Sequence, residues 1–424
     1  MKNRLFVLIV IVSLLLTACG GGAKPVASNA PVTITMMMWG DPAELTVWNQ
    51  IVADFHQANP NITVKVEVSD WDSYWTKLKT LLAAGKPPDV FAMDAPLYLD
   101  YQSRGVLLNL QPYLDKNPGM LDGVYPQTLE AYKTPDGMYG LPRDFQTIVL
   151  FYNKDMFDAA KVAYPNANWT YDDLRSAAKS LTKTGADGKV TQFGYALDLW
   201  DFEPGMSEII WGYGGDLINA DHTKTLVGEP KAREAFQFLH DMMFVDKSIP
   251  NTNTAAEYGG DPFLAGVAAM TAIGHWAVPS YSEAKFKWDV APMPKGPAGQ
   301  ATSVNSAGFV VGKASKNPDA AFEFLKYVLS EPAQKRLAEL GFALPVLKSV
   351  AESDSFLKQK TQINQKIFID ALVFAHLKPV FKGYDEWSSA VGDGMATIWT
   401  GEAELGPTLD AAVKAADDVL AKNK

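Results

Sequence analysis

The sequence predicts an α/β protein built on a parallel sheet, and three observations carry that expectation. Runs of apolar and β-branched residues alternate with segments whose apolar residues recur at helical spacing. Gly, Asn and Pro punctuate the changes between them. At 424 residues and 47% hydrophobic content, the chain is also large enough for two packed domains. Strand, helix, strand, helix, strand in succession is the signature of a parallel sheet with helical crossovers.

The chain begins with a basic start, Lys2 and Arg4, and an apolar run from Leu5 to Leu16. At 1.5 Å per residue this run spans roughly 18 Å, short of the hydrocarbon core of about 30 Å. It therefore reads as an export signal over residues 1–18. Leu16-Thr17-Ala18-Cys19-Gly20 follows at once and holds the chain's one cysteine. The pattern resembles a bacterial lipobox, which implies cleavage before Cys19 and a diacylglycerol thioether on its sulfur. Residues 19–30 are mostly small or polar and bury too little apolar surface to fold, so they read as a lipid-anchored tether.

Beyond the tether, Val32 to Trp39 is an apolar, β-branched run that reads as a strand. A helix is predicted after Gly40-Asp41-Pro42, with Leu45, Trp48, Ile51, Val52 and Phe55 on one face and Asn59-Pro60 at its end. Ile62, Val64, Val66 and Val68 alternate with polar residues as a second strand. Asp70 or Asp72 caps the next helix, which runs through Leu78, Leu81 and Leu82 to Gly85, and Pro87-Pro88 lead into a third strand, Asp89 to Met93.

In open α/β sheets, ligands bind outside the carboxyl ends of the strands. Those ends carry Trp39 with Asp41, Trp71 with Tyr74, and Asp94 with Tyr98. Aromatic faces with carboxylates suit a sugar, whose C–H faces are apolar and whose hydroxyls need hydrogen-bonding partners. The net charge of −10, with two of the cations in the leader, argues against nucleic acid or anionic headgroups as partners.

Met138-Tyr139-Gly140-Leu141-Pro142-Arg143-Asp144 and Phe151-Tyr152-Asn153-Lys154-Asp155-Met156-Phe157 resemble the signature of family 1 extracellular solute-binding proteins, the sugar-binding components of ABC importers. Matches continue at Pro88-Asp89-Val90, Trp169-Thr170-Tyr171-Asp172-Asp173-Leu174, Ala291-Pro292-Met293-Pro294-Lys295-Gly296-Pro297, Ser306-Ala307-Gly308 and Gly341-Phe342-Ala343-Leu344-Pro345. The resemblance implies a two-lobed periplasmic-binding-protein-like fold of type II, with a ligand cleft between the lobes and a hinge. It places residues 31–143 with 306–345 in the first lobe and 144–305 with 346–424 in the second.

It also implies capture of a mono- or oligosaccharide at the extracytoplasmic face of the membrane, by a monomer held there through its N-terminal lipid. The cargo would pass to ABC permease subunits. Arg143, Asp144 and Gln146 follow the signature at the expected crossing and are candidates to bond hydroxyls, although Arg143 and Asp144 equally suit a mutual pair. Trp200 lies in a loop after the strand-like Gly194 to Leu197. Trp276, after Gly274-His275, resembles the family position where a second-lobe tryptophan stacks on the sugar. Tyr384 and Trp387 could add late aromatics, with core packing the other reading of Trp387. The expected arrangement sandwiches one sugar ring between Trp276 and Trp39, with Asp94 or Asp144 anchoring its hydroxyls.

Catalysis finds little support in the motifs. His-Glu-x-x-His, a nucleophile elbow and a phosphate loop are all missing, and the five histidines lack metal-ligand spacing. No cofactor and no metal is expected. Acidic pairs of the kind polysaccharide-degrading enzymes use are inevitable among 48 acidic residues and decide nothing. A polyamine or a glycerol phosphodiester is the alternative cargo for the same fold.

Overall fold

The computed structural model describes residues 30–198, 202–359 and 363–423. The first five elements follow the expected alternation: β1 (Val32–Trp39), α1 (Pro42–Ala58), β2 (Ile62–Ser69), α2 (Trp71–Ala83) and β3 (Val90–Asp94). β1 pairs in parallel with both β2 and β3, so it is a central strand. Its second half, Met36 to Met38, is accordingly buried on both faces, whereas Val32 to Thr35 pairs as a strand with β2 alone and alternates. Trp48, Ile51 and Phe55 of α1 pack beneath the sheet, with Trp48 edge-on to Phe309 at 5.0 Å. Asp41 caps α1 by accepting from the Glu44 N–H at 2.8 Å. Of the two candidates for capping α2, Asp70 does so, accepting from the Ser73 N–H at 3.0 Å.

The other strands of the two main sheets are β4 (Gly140–Thr147), β5 (Val149–Asn153), β6 (Met270–Ile273), β7 (Trp288–Ala291), β8 (Thr302–Val311) and β9 (Ala375–Leu377). The first sheet runs β9-β8-β3-β1-β2, with β4 also paired to β8. A second, three-stranded sheet runs β6-β5-β7 and is antiparallel throughout. The chain therefore leaves the first sheet at Ile148 and returns between Ala291 and Thr302. These two passages are joined by one buried hydroxyl: Thr302 Oγ1 accepts from the Ile148 N–H at 2.9 Å and donates to the Ile148 carbonyl at 2.7 Å.

The expected divisions at 143/144 and 305/306 thus fall inside β4 and β8, two paired strands that the sequence pattern could not separate from their surroundings. Residues 346–357, expected with the second lobe, lie against the helix Glu331–Glu339, and Leu347 bridges to Val124. Two long helices, α3 (Tyr384–Thr400) and α4 (Leu405–Lys422), close the chain and pack on each other. They bind the second lobe through Thr225, which meets Trp387 Nε1 and Asp417. The start of α3 reaches the first lobe, where the Gly383 N–H donates to Asp100 and Asp385 pairs with Lys79 at 3.0 Å. No helix among the described residues is long and apolar enough to cross a membrane.

Candidate functional site: a tryptophan-lined cleft between two sheets

A cavity of about 300 Å³ opens between the two sheets. The first lobe contributes Trp39, Glu44, Trp71, Asp94, Arg143 and Gln146, the returning strand Asn305, and the second lobe Asp198, Glu203 and Trp276, with Lys378 at the end of β9. Trp39 ends β1, Asp94 ends β3 and Trp71 opens the helix after β2, so the carboxyl ends of the parallel strands do form one wall.

That wall is rigidly backed. Trp39 meets Trp71 edge-on at 4.9 Å and stacks on Trp75 at 5.6 Å. The Arg143 guanidinium sits 5.1 Å from the Trp39 ring, among Trp48, Phe309 and Phe342. Arg143 and Asp144 form a buried ion pair at 2.9 Å, their side chains only 2% and 1% exposed. Burial pushes the Asp144 carboxyl up to about 6, against the pull of Arg143. Asp94 accepts from Asn305 Nδ2 at 2.8 Å, which fixes its orientation toward the cavity.

On the opposite wall, the Trp276 ring folds back over Gly274. A Cβ there would come within 1.8 Å of the ring, so only glycine permits this pose. Lys378 pairs with Glu203 at 3.2 Å, and Glu203 also accepts from Ser303 Oγ at 2.9 Å. Behind them, buried Glu208 accepts from the Ser303 and Gly205 N–H groups. Burial pushes its carboxyl up to about 7. At the rim, Ser280 Oγ donates to Asp41 at 3.0 Å, linking the two lobes directly.

Six of the expected residues line the cavity: Trp39, Trp71, Asp94, Arg143, Gln146 and Trp276. Tyr74 and Tyr98 do not; both are fully buried, with hydroxyls donated to the backbone carbonyls of Ala92 and Tyr132. The helical spacing of Tyr74 and Leu78 turns that face of α2 into the core rather than the cleft. Tyr384 is likewise core, packed on Phe381 and Trp387 at 5.6 and 5.8 Å. Asp41 caps a helix at the rim, and Asp144 lies behind the wall as the partner of Arg143. Trp200 and Cys19 lie outside the described residues. Sequence reasoning missed Glu44, Glu203, Asn305 and Lys378, which stand on a first helical turn, in a loop or on hinge strands where no periodicity marks them.

The chain belongs to the bacterial extracellular solute-binding proteins, a family whose profile matches residues 39–335. It is 25% identical over 429 residues to the galactooligosaccharide-binding protein of Bacillus subtilis, covering 98% of this chain and 96% of that one. It is 27% identical over 324 residues to the maltodextrin-binding protein MdxE of Bacillus subtilis, covering 74% of this chain and 73% of that one. Among solved structures, an ABC substrate-binding protein of Listeria monocytogenes in complex with cycloalternan superposes with a TM-score of 0.83 at 28% identity, over 92% of this chain and 98% of that one. The fold is the two-lobed one those proteins share.

Proposed function

We propose that this protein captures a carbohydrate, most simply an oligosaccharide, in the cleft and delivers it to the permease of an ABC importer. The observation that carries the reading is the cavity's lining. Trp39, Trp71 and Trp276 offer apolar ring faces from both lobes, while Glu44 Oε2, Arg143 Nη1 and Gln146 Oε1 are buried there without hydrogen-bond partners. Buried polar atoms are normally satisfied, and a polyhydroxylated ring supplies both donors and acceptors between aromatic faces. Relatives that bind galactooligosaccharide and maltodextrin, and a neighbour holding cycloalternan, support the same class.

The two cations of the cleft, Arg143 and Lys378, are already charge-paired with Asp144 and Glu203, which disfavours a phosphodiester. No catalytic role is assigned to the carboxyls. Lipid attachment at Cys19 would hold the monomer at the extracytoplasmic face of the membrane, with Trp200 as a further stacking residue. The two lobes would move about the passages at Ile148 and Thr302, closing on ligand by its differential affinity for the closed form.

A thermal-shift screen of soluble protein beginning at Lys24 tests this, against gluco-, galacto- and manno-oligosaccharides, polyamines and glycerol phosphodiesters, with recovered ligand checked for cleavage. Ligand at a hundred times its Kd should add about 2.7 kcal/mol of stability. A rise with an intact saccharide supports the reading. Response to amines or phosphodiesters alone, or recovery of a cleaved saccharide, would refute it.

A further inference from the structure

Glu44 occupies an odd position for a charged side chain. It is the third residue of α1, where a glutamate commonly reaches back to bond the N-cap backbone N–H. Here its own N–H is held by Asp41 and its carboxyl draws on the Asp41 N–H in return, yet Oε2 is buried with no partner. Room for it exists because residue 40 is glycine: a Cβ at Gly40 would lie 2.1 Å from Glu44 Oε2. The carboxyl is tucked into the cavity wall, not turned to solvent.

Across the same wall, Arg143 is ion-paired with Asp144 at 2.9 Å, but its Nε and Nη1, like both Asp144 oxygens, are buried without a hydrogen-bond partner. This part of the cleft wall therefore holds unmatched acceptors and donors, among them Glu44 Oε2 and Arg143 Nη1. A hydroxyl group is the smallest group that answers both, its oxygen accepting from Nη1 and its hydrogen donated to the carboxyl.

We propose that Glu44 and Arg143 together read one hydroxyl of the bound saccharide, making Glu44 a specificity-determining residue of the cleft. This rests on the carbohydrate reading above. The charged groups facing Glu44 are Arg143 and Asp144 from β4 and its own N-cap Asp41. Burial pushes the Glu44 carboxyl up to about 8, with Arg143 pulling the other way. In the empty protein at neutral pH the group is thus mostly protonated, whereas a donated ligand hydroxyl favours the carboxylate. Binding should then release a proton, and affinity should rise between pH 6 and pH 8.

The test is calorimetric titration at pH 6 and pH 8, in buffers of differing ionisation enthalpy. The probe is maltotriose or, if that is silent, whichever gluco-, galacto- or manno-oligosaccharide gives the largest thermal shift. Wild type should bind about fivefold tighter at pH 8 and release protons at pH 7, since each unit of pKa change on binding is worth up to about tenfold in affinity. Glu44→Gln should bind more weakly at pH 8, equally at both pH values, and without proton release. Saccharide binding that is flat with pH in wild type, or unchanged in Glu44→Gln at pH 8, overturns the role of Glu44 alone. Failure of every saccharide to bind at either pH overturns the carbohydrate reading and this inference with it.

Discussion

The two walls of the cleft are built on different principles. The first-lobe wall stands on parallel strands whose carboxyl ends all face the cavity, and its aromatics are braced: Trp39 rests on Trp71 and Trp75, with Arg143 beside it. The second-lobe wall stands on an antiparallel sheet in which β6 and β7 both end where β5 begins, yet only the β6 end, through Ile273 and Trp276, lines the cavity, and its tryptophan is held by local backbone space at Gly274. The difference separates structural load from ligand contact. Trp39 and Trp276 are both half-buried, but Trp39 is braced by neighbouring rings and so also carries packing, while Trp276 is held by backbone space and is freer to serve ligand alone.

The largest effect should come from breaking the first wall's ion pair. Arg143→Ala leaves Asp144 as an uncompensated buried charge and should destabilise the fold by about 3–5 kcal/mol, read by denaturant unfolding. A loss below about 1 kcal/mol would mean that this wall is not structurally loaded.

Next come the two tryptophans. Trp276→Ala should weaken saccharide binding by roughly tenfold or more with little change in melting temperature, since stacking on an aromatic face is worth about 1–3 kcal/mol. Trp39→Ala should weaken binding comparably and also lower the melting temperature, because Trp71 and Trp75 lose their packing partner. Equal melting losses in the two variants would erase the contrast between the walls.

A smaller effect is expected at Glu44 in the empty protein. An acid whose folded pKa lies above its unfolded value near 4.3 stabilises the fold least at high pH, its penalty growing from about pH 4.5 to about pH 8. Glu44→Gln should therefore raise the melting temperature at pH 8 by about 2 °C or more, with little change at pH 4.5. A gain independent of pH would contradict the protonation change. The smallest effect should follow Ser280→Ala, which removes the rim bond to Asp41 and should cost no more than about 1 kcal/mol of closure, seen as a modest loss of affinity.

The same contrast explains what the sequence made legible. Alternating strands and amphipathic helices from Val32 to Asp94 are local patterns, and with the strand-end rule they led to Trp39, Trp71 and Asp94. The rule names a region, not a side-chain direction, so Tyr74 and Tyr98 were gathered with them although helix spacing and backbone hydrogen bonds send both inward. Trp276 was reached through the apolar run ending at Ile273, which is β6, together with the family resemblance. Glu203, Asn305 and Lys378 come together only because the chain crosses between sheets, a long-range fact without local periodicity. Glu44 stands in a helix's first turn, where a glutamate is ordinary; the sequence clue to its inward pose is the glycine four residues before it.

A crystal structure of the protein with the best-binding saccharide tests the central claim most directly. The account predicts an intact sugar ring between Trp39 and Trp276, with one hydroxyl within hydrogen-bonding reach of both Glu44 and Arg143. A saccharide bound outside this cavity, or touching only one lobe, would contradict it.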